Sequence, residues 1–219
     1  MTNVLPQRDA RQRDIVPPER LADCQVMVVG VGAIGRQVAL QLAAMGVPDL
    51  RLVDPDTVET VNLACQGYLY EDQGRAKVHA TAELCRQINP HVHVHVEAAR
   101  FRRSMEVGNA LFCCVDQIET RRRIWEAASS RLQYFADGRM SAEVIRVLVA
   151  ADAESRRHYP TTLFAAAEAY QGACTAKSTI FTANIAAGLM LSQFSKWLRH
   201  LPIEKDLTLN LLSAELTVG

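Results

Sequence analysis

The chain has 219 residues, 49% of them hydrophobic, with 24 Lys and Arg against 24 Asp and Glu. That profile excludes a predominantly disordered chain, and folding at this length buries roughly 70% of the unfolded surface, enough for one full-sized α/β core but cramped for two equal domains. The balanced charge argues against nucleic-acid binding by counterion release, and clusters such as Arg121-Arg122-Arg123 are too short to change that. No run approaches 18 uninterrupted apolar residues and the N-terminus has no signal-peptide pattern, so a cytoplasmic protein without a membrane partner is expected. Six scattered cysteines without a C-x-x-C spell neither a disulfide framework nor a zinc site.

Residues 1–24 are polar and basic and read as an arm or short helix. Gln25 to Val29 is a continuous apolar run, the pattern of a strand buried on both faces. Ile34, Val38, Leu42 and Met45 then recur at helical spacing until Gly46 and Pro48, and Leu50 to Asp54 is a second strand, which completes β-α-β. A polar loop is expected up to Lys77. A helix runs from Lys77 to Ile88 and stops at Asn89-Pro90. His91 to Val96 alternates as a strand with three histidines on one face, Leu111 to Val115 is a buried strand that ends at Asp116, and Glu119 to Ser129 is helical. Tyr134 to Ala136 and Val144 to Ala150 read as strands, 151–173 as a crossover loop, Ser178 to Arg199 as a long helix, and Leu207 to Val218 as strand-like. The expected fold is α/β and Rossmann-like, mostly parallel with helices on both faces, with antiparallel strands toward the C-terminus.

Gly30-Val-Gly32-Ala-Ile-Gly35 follows a buried strand and opens a helix, where glycines permit a tight turn and the helix N-terminus offers unpaired N–H groups to a phosphate. Asp54 ends the next strand, 19 residues beyond Gly35, in the place of a ribose acceptor. These features alone favour an NAD-dependent dehydrogenase, but no hydride site accompanies them.

Further residues follow in order: Asp54-Pro-Asp56, Asn62-Leu-Ala-Cys65-Gln66, Lys77, Asn89-Pro90 and Asp116. With Arg8-Asp-Ala-Arg11-Gln12 ahead of them and Arg121 five residues past Asp116, this series resembles the ThiF/MoeB/HesA family, relatives of ubiquitin-activating enzymes, over about residues 8 to 200. The resemblance implies one adenylation domain over 25–219 that binds ATP and Mg²⁺. It also implies a homodimer and a partner, a ubiquitin-like or sulfur-carrier protein ending in Gly-Gly, whose C-terminal carboxylate is adenylated. It assigns Asp54 to the ribose, Asn62, Gln66 and Lys77 to the phosphates, Asp116 to Mg²⁺, and Arg11 to the phosphates of the neighbouring subunit. Cys174, before the long helix, resembles the cysteine that accepts the acyl group as a thioester or persulfide.

Two positions depart from the family pattern: Cys65 stands where the family has arginine, and Gln117 where it has asparagine. An arginine–phosphate bond contributes about 1.5–3 kcal/mol, so its loss implies about a ten- to hundredfold weaker site unless Arg75 or another cation substitutes. The family's zinc-binding C-x-x-C pairs are missing, so no structural zinc is expected. Two alternatives stay open, adenylation of a different carboxylate or base without Cys174 chemistry, and a nucleotide-binding scaffold or inactive partner subunit.

Overall fold

The computed structural model describes residues 8–164 and 178–219. Five short hydrophobic strands form its parallel half: β1 (Gln25–Val29), β2 (Asp49–Val53), β3 (His93–Glu97), β4 (Ala110–Cys113) and β5 (Tyr134–Ser141). Three further strands, β6 (Val144–Ala150), β7 (Asp206–Asn210) and β8 (Glu215–Val218), extend the sheet antiparallel, in the order β3-β2-β1-β4-β5-β6-β7-β8. Because β1 lies between β2 and β4, successive crossovers run outward in both directions from it. A crevice opens at such a reversal, outside the C-terminal ends of the strands, and this is where α/β sheets bind ligands.

Alternation along β1 supplies both cores. Val26 and Val28 join the apolar layer under α2 (Ala33–Met45), α4 (Lys77–Ile88) and α7 (Ile180–Leu198), while Met27 and Val29 face the opposite layer with α5 (Ile118–Ala128). Aromatic groups seal each layer: Phe112, Tyr134, Phe194 and Trp197 on the α7 side, and Trp125, Phe135 and Tyr159 on the other. Among the described residues, no helix is long and apolar enough to cross a membrane.

The structure departs from the sequence expectation in several places. The expected loop before Lys77 contains α3 (Thr60–Gln66), where the Asn62 Oδ1 accepts the Glu59 N–H at 2.9 Å and Gly67, at φ +72°, closes the C-terminus. The first part of the expected crossover loop is instead α6 (Ala153–His158) and a 3₁₀ turn, because the Asp152 carboxylate caps Ser155 at 2.8 Å and Tyr159 is fully buried. Residues 165–173 of that stretch, and Cys174, lie outside the described residues. Two other expectations agree with the structure: the strand-like C-terminal stretch is a hairpin of β7 and β8, and the segment read as an arm or short helix contains α1 (Pro18–Leu21). β3 is the sheet's edge strand, with His93 and His95 exposed and His91 preceding it.

Candidate nucleotide site at the strand ends

The three glycines of the β1–α2 turn serve different needs. Gly30 has φ +85°, and a Cβ there would lie 2.8 Å from the Cys114 carbonyl oxygen. A Cβ on Gly35 would fall 1.8 Å from the Gly30 oxygen, so the first turn of α2 packs directly on the glycine turn. Gly32 is open: a Cβ there would meet only the Gln66 amide, at 3.8 Å, which leaves backbone accessible to a ligand. No side chain caps α2 and its first turn carries no acid, so its N–H groups and partial positive charge face the crevice.

Between these glycines, Val31 is clamped on both sides. Its N–H donates to the Asp54 Oδ2 at 2.7 Å, and its carbonyl accepts from the Tyr68 hydroxyl at 2.6 Å. The Asp54 Oδ1 accepts the Asp56 N–H at 2.8 Å, so the buried carboxylate organises two backbone segments. Burial raises the Asp54 pKa, against the pull of those two N–H groups and of Lys77. Burial likewise pushes the Tyr68 hydroxyl well above its ordinary value, so it stays protonated and donates.

The opposite wall is α3 and the start of α4. The Gln66 Oε1 is buried there without a hydrogen-bond partner among the described residues, close to Gly32. An amide left unpaired at that depth suits a ligand hydroxyl or, rotated about its last bond, presents its N–H to a phosphate. Asn62 spends its oxygen on the α3 cap, as described above. Lys77, buried in the first turn of α4, donates from Nζ to the Asp56 Oδ2 at 3.1 Å, and this partner carboxylate is 62% exposed. The Cys65 thiol donates to the Val61 carbonyl at 3.2 Å within α3. Arg75, the other cation near that position in sequence, is paired with Asp72 at 3.0 Å and Glu83 at 2.5 Å.

Asp116 lies three residues past β4, exposed and with no hydrogen bond or ion pair among the described residues. Its backbone is fixed by Arg121, which is buried, pairs with Asp137, and donates to the Val115 and Gly138 carbonyls. Asp137 also receives the Arg139 Nε at 2.9 Å and the Tyr159 hydroxyl at 3.0 Å. No cluster of three or more His, Cys, Asp or Glu suited to a metal occurs among the described residues. A lone free carboxylate fits Mg²⁺, which commonly takes one or two protein carboxylates and fills its remaining positions with phosphate oxygens and water.

The turn, Asp54, Asp56, Gln66 and Lys77 are therefore brought together by direct contacts, with Asp116 beyond the end of the neighbouring strand. Arg11 is not brought to them within its own chain. The arm is tied to the far end of α2, where Arg8 donates to the Ala43 and Ala44 carbonyls at 2.9 and 2.8 Å and Gln12 to that of Met45 at 3.0 Å. A 13-residue helix places that end roughly 20 Å from the glycine turn. Tyr68, Arg36, Asp137 and Tyr159 escaped the sequence reading, since their partners lie far along the chain and no local spacing marks them. Surface hollows occur elsewhere, one beside Asp49, Arg51 and Gly108 and one beside Asp152, Lys205 and Gly219, so polar groups rather than concavity identify this site.

Comparison with known proteins shows what the chain is similar to. The chain is 34% identical over 118 residues to the molybdopterin-synthase adenylyltransferase of Salmonella typhimurium, a match covering 51% of this chain and 47% of that protein. It is 40% identical over 95 residues to the SAMP-activating enzyme E1 of Haloferax volcanii, covering 42% and 35%. The matches thus span half or less of these relatives. Among solved structures, PaaA superposes with a TM-score of 0.83 at 20% identity, covering 100% of this chain and 74% of that one. Escherichia coli MccB with ATP gives 0.77 at 16% identity, covering 98% and 72%. The sequence profile of the ThiF family matches residues 9–217, and the chain belongs to that family.

Proposed function

We propose that the protein binds ATP at the β1–α2 turn and adenylates the C-terminal carboxylate of a ubiquitin-like or sulfur-carrier protein ending in Gly-Gly. The observation that carries this is the uncapped, glycine-lined N-terminus of α2 facing the unpaired Gln66 amide. The names of the relatives, an adenylyltransferase for molybdopterin synthase and an activating enzyme for SAMP, support the acceptor class.

In the proposed reaction a carboxylate oxygen of the carrier attacks the α-phosphorus of ATP. A new O–P bond forms, the bond to the β-phosphate oxygen breaks, and pyrophosphate leaves with the electron pair to give an acyl adenylate. Such chemistry asks the protein for positioning and charge neutralisation. The α2 N–H groups and Gln66 orient the phosphates, and Lys77 exchanges its Asp56 partner for the charge developing on them. Asp54 holds the turn in shape and presents its remaining lone pairs to the ribose. Asp116 is the residue that would hold Mg²⁺, which when bound neutralises phosphate charge. Arg11 serves the site of a second subunit in a homodimer. Cys174 then takes the acyl group: its thiolate attacks the carbonyl, AMP departs, and a thioester results.

The test is mass spectrometry of a Gly-Gly carrier incubated with the protein, ATP and Mg²⁺. A carrier–AMP adduct is expected, together with a thiol-labile protein–carrier conjugate that disappears in Cys174→Ala. ATP binding without either product favours the second reading, a nucleotide-binding scaffold, for which Cys65 and the paired state of Arg75 are the supporting observations.

A further inference from the structure

Arg36 is among the largest side chains that the fold buries completely, at 1% exposure, and the nucleotide reading above gives it no task. It follows Gly35 in the first turn of α2. Its Nε and Nη2 both donate to the Gly67 carbonyl, at 3.1 and 2.8 Å, and its guanidinium lies 4.2 Å over the Tyr68 ring. Nη1 has no hydrogen-bond partner among the described residues.

A buried guanidinium is costly to desolvate, and an apolar side chain of similar volume would fill the space more cheaply. What a guanidinium adds is a planar fork that holds one carbonyl with two N–H groups while its face meets an aromatic ring. Both of its contacts lead to the nucleotide site. Gly67 caps α3, and its left-handed backbone lets its carbonyl meet the Arg36 fork; a Cβ there would lie 2.8 Å from Ile180. Beside it, the Gln37 Nε2 donates to the Gln66 carbonyl at 3.2 Å. Tyr68, under the guanidinium, is the residue whose hydroxyl holds the Val31 carbonyl within the glycine turn.

We infer that Arg36 is a positioning residue that locks α3 and the glycine turn at one separation, so that the Gln66 amide stays opposite Gly32. The inference rests on the nucleotide reading of that crevice. Its consequence is that the bracing of the α3 wall comes from beneath, through Arg36, while Cys65 contributes no cation to it. A site held about 1 Å out of register loses substantial binding and rate, so loosening this brace weakens the nucleotide more than the fold.

The experiment compares Arg36→Met, Arg36→Lys and Tyr68→Phe with the unaltered protein. It measures the Kd of a non-hydrolysable ATP analogue with Mg²⁺, thermal stability, and amide hydrogen exchange at residues 30–35 and 60–68. Arg36→Met is expected to raise the Kd about tenfold and Tyr68→Phe about fivefold, each the equivalent of a hydrogen bond or two. Arg36→Lys, which keeps the charge but not the fork, falls between Arg36→Met and the unaltered protein. Exchange quickens on both walls in Arg36→Met and Tyr68→Phe. An unchanged Kd with only a lower Tm makes Arg36 a purely structural residue and overturns the inference. Should Arg36→Met not fold, Tyr68→Phe decides through the same readouts. If the unaltered protein binds no ATP analogue, the nucleotide reading fails and exchange alone judges the brace: coupled quickening on both walls upholds it, and unaltered exchange in either segment refutes it.

Discussion

A cysteine at position 65 puts a small thiol on the α3 wall, where the family pattern has a cation, and Arg75 is engaged by Asp72 and Glu83. Among the described residues, Lys77 is the family-position cation that contacts this cluster within the chain, already paired with an exposed carboxylate that a triphosphate can displace. Cys65 is only half buried, so a longer side chain can extend from α3. Cys65→Arg is therefore expected to raise kcat/KM for ATP about ten- to a hundredfold, the worth of one charge-assisted bond to phosphate. Steady-state kinetics over an ATP series checks this, and an unchanged or lower value means that residue 65 does not face the phosphates. At this scale the glycines and Asp54 were legible from their spacing around the first two strands, whereas Lys77 and Asp116 were read from their order in the family series. Tyr68 and Arg36 were not. Their partners, Val31 and Gly67, lie 37 and 31 residues away, and an arginine inside a helical pattern looks the same from sequence whether buried or solvated.

The elements around the site show where hydrophobic pattern stops being informative. β5 was expected to end at Ala136, but it continues through Asp137-Gly138-Arg139 to Ser141. Those polar residues belong in a strand because β6 pairs them and because Arg121 and Tyr159 neutralise and hydrogen-bond Asp137. α6 went unseen for a similar reason: one alanine and five polar residues carry no apolar stripe, and the element is started by its cap. The Ser155 backbone N–H, with its hydroxyl, holds the Asp152 carboxyl below its ordinary value of 3.8. A depressed folded-state pKa means that this stabilisation is complete above the unfolded value and is lost as pH falls through the folded one. Asp152→Ala is expected to lower stability by about 1 kcal/mol at pH 7, with the difference shrinking as the pH falls below 3.8. Urea denaturation on both sides of that value measures it, and a pH-independent difference would contradict the capping account.

For the whole molecule, the topology explains why the site lies between β1 and β4 and why the arm cannot complete it from the same chain. The β-α-β start was legible because continuous apolar runs mark buried strands, whereas β7 and β8 carry no such run and β8 is exposed at all four positions. The sheet order was not read from pattern, since it depends on which edges pair. With the arm docked at the far end of α2, the proposed contribution of Arg11 has to come from a second subunit. Mixing inactive Arg11→Ala with inactive Lys77→Ala should then recover roughly 25% of the activity, because half of randomly assembled dimers carry one intact site of two. No recovery on mixing, with subunit exchange confirmed, places Arg11 outside the reaction.

Adenylation itself is tested most directly by ATP–pyrophosphate exchange with Mg²⁺ and a Gly-Gly carrier, run for the unaltered protein, Lys77→Ala and Asp116→Ala. Carrier-dependent exchange that falls at least about a hundredfold in both variants is the predicted result. Exchange that persists in the variants, or ATP binding without exchange for any carboxylate acceptor, would contradict it.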